Sequence, residues 1–241
     1  MSTTALDILC ITAHPDDTEI GMGGTVLRHI HLGHRVGIVD LSSGELGTRG
    51  SGELRRTEAA AAAASMGVQV RYQLDLADGF FEEDRESLLK VVQVIRRHRP
   101  QVVFTNAIRD RHPDHGRGGK LVSRACFLSG LRRIATEDGG QAQEAWRPRA
   151  VYHCIQDRWI DPDIVFDVTG FWEGKMKALG CFKSQFYDPD STEPVSPISV
   201  PEFFPTLEGR ALETGRLIGV KYGEGFTVER AAGIRDVMDL L

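Results

Sequence analysis

Apolar positions along the chain fall into two alternating textures. Short β-branched and aliphatic runs at 7–13, 36–41, 68–74 and 102–106 are bounded by polar or glycine-bearing breaks, and each reads as a buried strand. Between them lie stretches with helical spacing. Residues 21–32 put Val26, Leu27 and Ile30 on one face, and a second helix opens near Ser51, runs through six consecutive alanines at 59–64 and stops at Gly67. Residues 83–99 carry the stripe Leu88, Val91, Val92 and Ile95, with Pro100 marking the end, and 115–133 is mostly helical. Later strands are expected at 150–156 and 164–168, and further helices at 171–184 and 206–217. The stretch 186–205 holds five of the ten prolines and reads as a loop, and the glycine-rich 219–226 reads as a tail.

Strands alternating with crossover helices imply a Rossmann-like, three-layer α/β fold with a mostly parallel sheet covered on both faces. No internal repeat or linker interrupts the pattern, so residues 1–241 are read as a single domain. In the common 3-2-1-4-5 strand order, strands one and four are neighbours at the topological switch, where open α/β sheets bind ligands.

Composition narrows the class. Twenty-nine basic residues against 34 acidic ones give a net charge of −5, which argues against nucleic acid as partner. No apolar run approaches the ~20 residues of a membrane span, and the start lacks a basic leader region, so no signal peptide or membrane partner is expected. The four cysteines are scattered without a Cys-x-x-Cys pair, as in a reduced, cytoplasmic protein. Twenty-three of the 29 basic residues are arginine, which coding bias explains for most of them.

Chemistry gathers behind strands one and four. Strand one runs into Ala13-His14-Pro15-Asp16-Asp17-Thr18-Glu19, and strand four is followed by Arg109-Asp110-Arg111-His112-Pro113-Asp114-His115. Two His-Pro-Asp segments leaving neighbouring strand ends bring imidazole and carboxylate donors together, the set that suits a divalent metal. Adjacent Asp16 and Asp17 are unfavourable in a crevice unless a cation neutralises them. A helix-capping role accounts for one Asp in each segment but not for the histidines. Gly21-Met22-Gly23-Gly24 looks like a dinucleotide fingerprint, yet Val26 stands where the third glycine belongs. His29, His31 and His34 sit at a helix C-terminus, where histidine is favourable without a metal, and His98 and His153 read as solvated or hydrogen-bonded. The glycine-rich 43–56 stretch follows strand two and places Arg49 and Arg55 beside the site. With Arg111 they are candidates for holding an anionic substrate group, against the alternative of arginines pointing to water.

The pair Ala13-His14-Pro15-Asp16-Asp17 and His112-Pro113-Asp114-His115 resembles the PIG-L/LmbE family of zinc-dependent deacetylases. The 44–50 loop, Ser184-Gln185-Phe186 and the 219–226 tail resemble its bacillithiol-biosynthesis branch, which deacetylates N-acetylglucosaminyl malate. Ser42-Ser43 departs from the Thr-Arg of many relatives and removes one basic contact. The resemblance implies His14, Asp17 and His115 as ligands of Zn2+ or another divalent metal, and Asp16 as general base. It implies His112 as oxyanion donor or acid to the departing amine, with Asp114 orienting His112, and Arg49, Arg55 and Arg111 on the substrate. It also implies a small-molecule amino-sugar substrate and a homo-oligomer, hexameric or trimer-based. Other N-acetylglucosamine conjugates or a thiol S-conjugate amide are alternative substrates, and a non-catalytic nucleotide- or sugar-binding module is the alternative of another class.

Overall fold

The computed structural model describes residues 5–240. In chain order it contains β1 (Ile8–Thr12), α1 (Asp17–His31), β2 (Val36–Asp40), α2 (Gly52–Met66), β3 (Val70–Gln73), α3 (Arg85–His98), β4 (Val102–Thr105) and α4 (Pro113–Ser129). A short ribbon, β5 (Glu137–Asp138) with β6 (Gln141–Ala142), precedes β7 (Ala150–Cys154), β8 (Ile164–Asp167), α5 (Trp172–Leu179), α6 (Phe203–Arg216) and β9 (Gly223–Val228). The main sheet has the order β3-β2-β1-β4-β7-β9-β8. Its first five strands pair in parallel, as the alternating pattern requires, while β9 runs antiparallel to both neighbours.

Both faces of the sheet are covered. Leu9, Ile11, Val39 and Val103 pack on one face with Leu88, Val91 and Ile95 of α3 and Leu121 and Val122 of α4. On the other, Ile8, Cys10, Ile38, Phe104 and Phe226 meet Met22 and Val26 of α1 and Ala178 of α5. Burial on both sides explains why β1 and β2 are apolar runs rather than alternating strands. Each such Leu, Ile or Phe, wholly removed from water, contributes about 1.5–3 kcal/mol.

The structure corrects the expected boundaries where glycine and proline mislead. The tail at 219–226 is partly strand: Glu224 and Phe226 share the face turned to α1 and α5, a period-two pattern hidden by the intervening glycines. α6 begins at Phe203 rather than 206, with Pro205 in its first turn, where a missing N–H costs nothing. α5 ends at Leu179 with Gly180 as its C-cap, and turns replace the expected helix to 184. The most consequential difference is α1, which starts at Asp17, four residues early, and breaks at Met22 (φ −152°, ψ 19°).

That break is held by a buried ion pair. Glu224 accepts the backbone N–H groups of Gly24 (3.0 Å) and Thr25 (2.7 Å), while Lys175 Nζ donates to the Ile20 carbonyl (2.8 Å). A Cβ on Gly24 would lie 2.7 Å from that of Val168, so close packing of α1 on this wall demands glycine there. The first turn, carrying Asp17 and Glu19, is thereby set at its own angle over the end of β1.

Candidate metal centre and active site

The two His-Pro-Asp segments meet at the carboxyl ends of β1 and β4, which are hydrogen-bonded neighbours. After β1 the chain turns tightly, with Ile20 N–H bonded to the Asp16 carbonyl. Asp16 adopts φ 105° and ψ −26°, a left-handed conformation that costs a non-glycine residue roughly 1–3 kcal/mol and is tolerated where function fixes it. Although it occupies the N-cap position of α1, its side chain makes no capping bond. After β4, His112 is the N-cap of α4, and Pro113 takes the first helical position.

Asp17 is the hub. Its Oδ1 lies 3.0 Å from His115 Nε2 and its Oδ2 3.3 Å from His14 Nδ1. Asn106 Nδ2 (3.1 Å) and Gln156 Nε2 (2.8 Å) also donate to it. Each imidazole uses its second nitrogen on an outer carboxylate. His14 Nε2 lies 3.0 Å from Asp78 and 3.4 Å from Asp114, while His115 Nδ1 lies 2.6 Å from Asp110. Such outer carboxylates fix the ring orientation of metal-binding histidines. Nitrogen atoms of His14, His112 and His115 lie within 4.8 Å of one another, and His14 forms a second such group with Asp78 and Asp114.

Protonation follows this crowding. Burial pushes the Asp17 carboxyl up, but the His115 charge and hydrogen bonds from both histidines outweigh it and hold it well below the usual range. Burial lowers His14 and His115, yet their carboxylate partners reverse the sign: His14 is raised well above an ordinary imidazole and His115 reaches about 9. Protons on these rings thus neutralise the acids, a role that a divalent cation bound by deprotonated imidazoles would take over. The donor set of two imidazoles and a carboxylate fits an open metal site, with Asp16 and His112 beside it.

Asp16 has a different environment. It is buried, which pushes its carboxyl up to about 7 against the opposing charge of Arg55 and with the help of neighbouring Asp17. Arg55 Nη2 reaches Asp16 Oδ2 at 3.1 Å, and the other oxygen makes no hydrogen bond among the described residues. Arg55 gets there by crossing over Gly44, whose Cβ, if it had one, would lie 1.9 Å from the guanidinium. Gly44 also has φ 66°, so this position needs glycine twice over.

The expected residues are thus not all used as the sequence suggests. Asp114 does not orient His112 with its carboxylate, which instead meets Gly79 N–H (2.8 Å), Arg117 (2.9 Å) and His14. The Asp114 backbone N–H donates to His112 Nδ1 (3.3 Å), leaving Nε2 to carry the proton of the neutral ring. Burial and the charges of His14 and His115 lower His112, keeping that ring neutral. Arg49 is buried against the Phe186 carbonyl and Ser191, Arg55 serves Asp16, and Arg111 pairs on the rim with Asp157 (3.1 Å).

Four partners escaped sequence reasoning. Asp110 lies inside the second motif segment and was readable there as a further acid. Asp78 follows β3 in an Asp-Gly turn at the same sheet edge, a weaker signal. Asn106 and Gln156 lie one and two residues past the ends of β4 and β7, where only the topology reveals that they face Asp17. His153 is hydrogen-bonded to the Asn106 carbonyl (2.9 Å) and to Glu229 (3.0 Å), in keeping with its structural reading.

His14, Asp16, Asp17, Asp78, His112, His115 and Gln156 line a cavity of about 350 Å³ together with the 46–49 loop and Ser196, Pro197 and Ile198. The sequence model of PIG-L: GlcNAc-PI de-N-acetylase matches residues 9–126, which include both motif segments. The chain is 31% identical over 230 residues to diacetylchitobiose deacetylase of Thermococcus kodakarensis, covering 90% of this chain and 81% of that protein. The chain belongs to the PIG-L family of de-N-acetylases. The crystal structure of the conserved protein TT1542 from Thermus thermophilus superposes on this PIG-L fold with a TM-score of 0.85 at 31% identity, over 96% of this chain and 98% of that one. A further relative, 4-oxalmesaconate hydratase of Pseudomonas putida, is 28% identical over 201 residues, 77% of this chain and 76% of that protein. Among the described residues of this PIG-L chain, no helix is long and apolar enough to cross a membrane.

Proposed function

We propose that the protein is a zinc-dependent N-deacetylase that hydrolyses the acetamide of an N-acetylglucosamine conjugate to acetate and the free amine. The observation that carries this is the bridging of His14 and His115 by Asp17, with Asp16 and His112 opening onto the same cavity. His14 Nδ1, Asp17 and His115 Nε2 would hold the metal, with Asp78 and Asp110 fixing the two rings. When bound, the metal supplies positive charge that polarises the amide carbonyl and acidifies the attacking water.

The chain's own groups do the rest. Asp16, anchored through one oxygen by Arg55, takes the water proton with the other as the new C–O bond forms. His112 donates its Nε2 proton in a hydrogen bond to the developing oxyanion, because its Nδ1 is occupied as an acceptor. Asp16 then returns its proton to the nitrogen as the C–N bond breaks, so the site ends each cycle as it began.

For the substrate, N-acetyl-α-D-glucosaminyl L-malate is the conjugate we favour, on the strength of the loop and tail motifs. The test is acetate release by metal-loaded enzyme from this conjugate, its inositol counterpart and free N-acetylglucosamine, alongside metal analysis. About one equivalent of metal per site and turnover of at least one conjugate are expected. Protein that takes up no metal and releases no acetate would be a binding module instead.

A further inference from the structure

Residues 187–202 lead from the turns after α5 to the start of α6 without a helix or strand of their own. The base of this loop is pinned: the Phe186 ring stacks on Phe203 (centroids 5.4 Å apart) and leans on Phe204 (5.0 Å). A loop closed at its base in this way is an Ω-loop, a class that often carries function. Its middle, Ser196, Pro197 and Ile198, is part of the wall of the metal cavity. Four prolines stiffen it, and it carries the acids Asp188, Asp190, Glu193 and Glu202 but no basic residue.

The cation set against this loop is Arg49, only 6% exposed. All three of its guanidinium nitrogens turn to the segment. Nη1 donates to the Phe186 carbonyl (3.1 Å), Nη2 donates to Ser191 Oγ, and Nε faces Glu193 Oε2 at 3.7 Å. The Gly50 N–H donates to the same Glu193 oxygen (3.0 Å), and Gln185 Nε2 donates to the Arg49 carbonyl (2.9 Å). Just before the loop, Glu58 of α2 accepts the N–H and Oγ–H of Ser184 (2.8 and 2.7 Å). A planar guanidinium fork that reads three points of one loop fixes its orientation as a single point charge does not.

We propose that residues 187–202 are the roof of the catalytic cavity and that Arg49 is the positioning residue that holds this roof over the metal site. The inference rests on the deacetylase reading for what lies beneath the roof. Arg49 then acts on substrate only through the loop. Since the roof covers the acetylated sugar that all conjugates share, its loss harms charged and uncharged conjugates alike. A direct anion contact by Arg49 would serve the charged ones only.

The experiment is a mutant cycle on metal-loaded enzyme: wild type, Arg49→Met, the loop-side pair Ser191→Ala with Glu193→Ala, and all three changes together. Substrates are the N-acetylglucosaminides of malate and inositol and free N-acetylglucosamine. Arg49→Met should lower kcat/KM about tenfold on each, chiefly through KM. The loop-side pair should reproduce most of that loss, and the triple variant should fall little further. A loss confined to the malate conjugate, or losses that simply add in the triple variant, overturns the proposal. The loop-side pair, at half-buried and exposed positions, also serves if Arg49→Met does not fold, and unchanged kcat/KM in it overturns the latch. Should wild type release acetate from none of the substrates, the deacetylase reading fails by itself. Amide hydrogen exchange over 187–202 then decides the latch: it should quicken in the loop-side pair, and exchange equal to wild type overturns it.

Discussion

Lys175 Nζ and Glu224 Oε1 lie 2.6 Å apart, both side chains almost wholly buried, and the pair closes the gap in α1 on both sides. One partner takes the carbonyl released before Met22 and the other takes the amides released after it. Removing either partner leaves the other charge buried and the broken helix unsatisfied. Lys175→Met or Glu224→Met should each cost about 3–5 kcal/mol in denaturant unfolding. The double variant should cost less than the sum of the two, since no lone charge remains. Strictly additive losses would show that the two residues do not act as a unit.

Asp16 combines a strained backbone with a buried carboxyl and no capping bond, features of a chemical rather than a structural residue. Asn tolerates positive φ better than most residues, so Asp16→Asn removes the base with little change in shape. Turnover should fall by about 10²–10⁴-fold while metal content and melting temperature stay near wild type. Retained turnover in that variant would take the base role away from Asp16.

The sheet and the metal motifs were legible because their signals are local. β1 and β4 are apolar runs; β1 delivers His14 two residues past its end, and β4 delivers His112 and His115 seven and ten residues past its own. The β9 strand was not legible, because glycines at 223 and 225 mask the alternation of Glu224 and Phe226. Nor was the start of α1: its break depends on Lys175 and Glu224, more than 150 residues away in sequence. The substrate arginines show the same limit. Spacing singles out Arg49 and Arg55, but only packing shows that Arg49 holds the Phe186 carbonyl and Ser191 while Arg55 holds the Gly44 carbonyl and Asp16.

Asp110 accepts from His115 at 2.6 Å and also takes the backbone N–H groups of Arg111 and Arg158, which lock it in place. Asp110→Asn keeps the shape but weakens the hold on the His115 ring and lowers its basicity. Metal affinity should drop about 10–100-fold, measured by competition with a chromophoric chelator. Activity should return when excess metal is supplied. An unaltered affinity would mean that Asp110 orients nothing that the metal feels.

Arg71 lies between two buried carboxylates, 3.0 Å from Asp40 and in close contact with Glu19. Burial raises the pKa of both acids in the folded state, and Arg71 is the main opposing influence. A raised folded-state value means that the unfolded chain gives up these protons first, so stability falls as pH rises through the window between the two values. Arg71→Met removes the opposing charge, raises both acids further and extends that loss toward neutral pH. The variant should therefore lie closest to wild type at about pH 4 and fall behind as pH rises, reaching a deficit of about 3–5 kcal/mol near neutrality. Melting temperatures of both proteins between those limits measure the divergence. A deficit independent of pH would instead place the cost in lost packing of the arginine stem over Phe182.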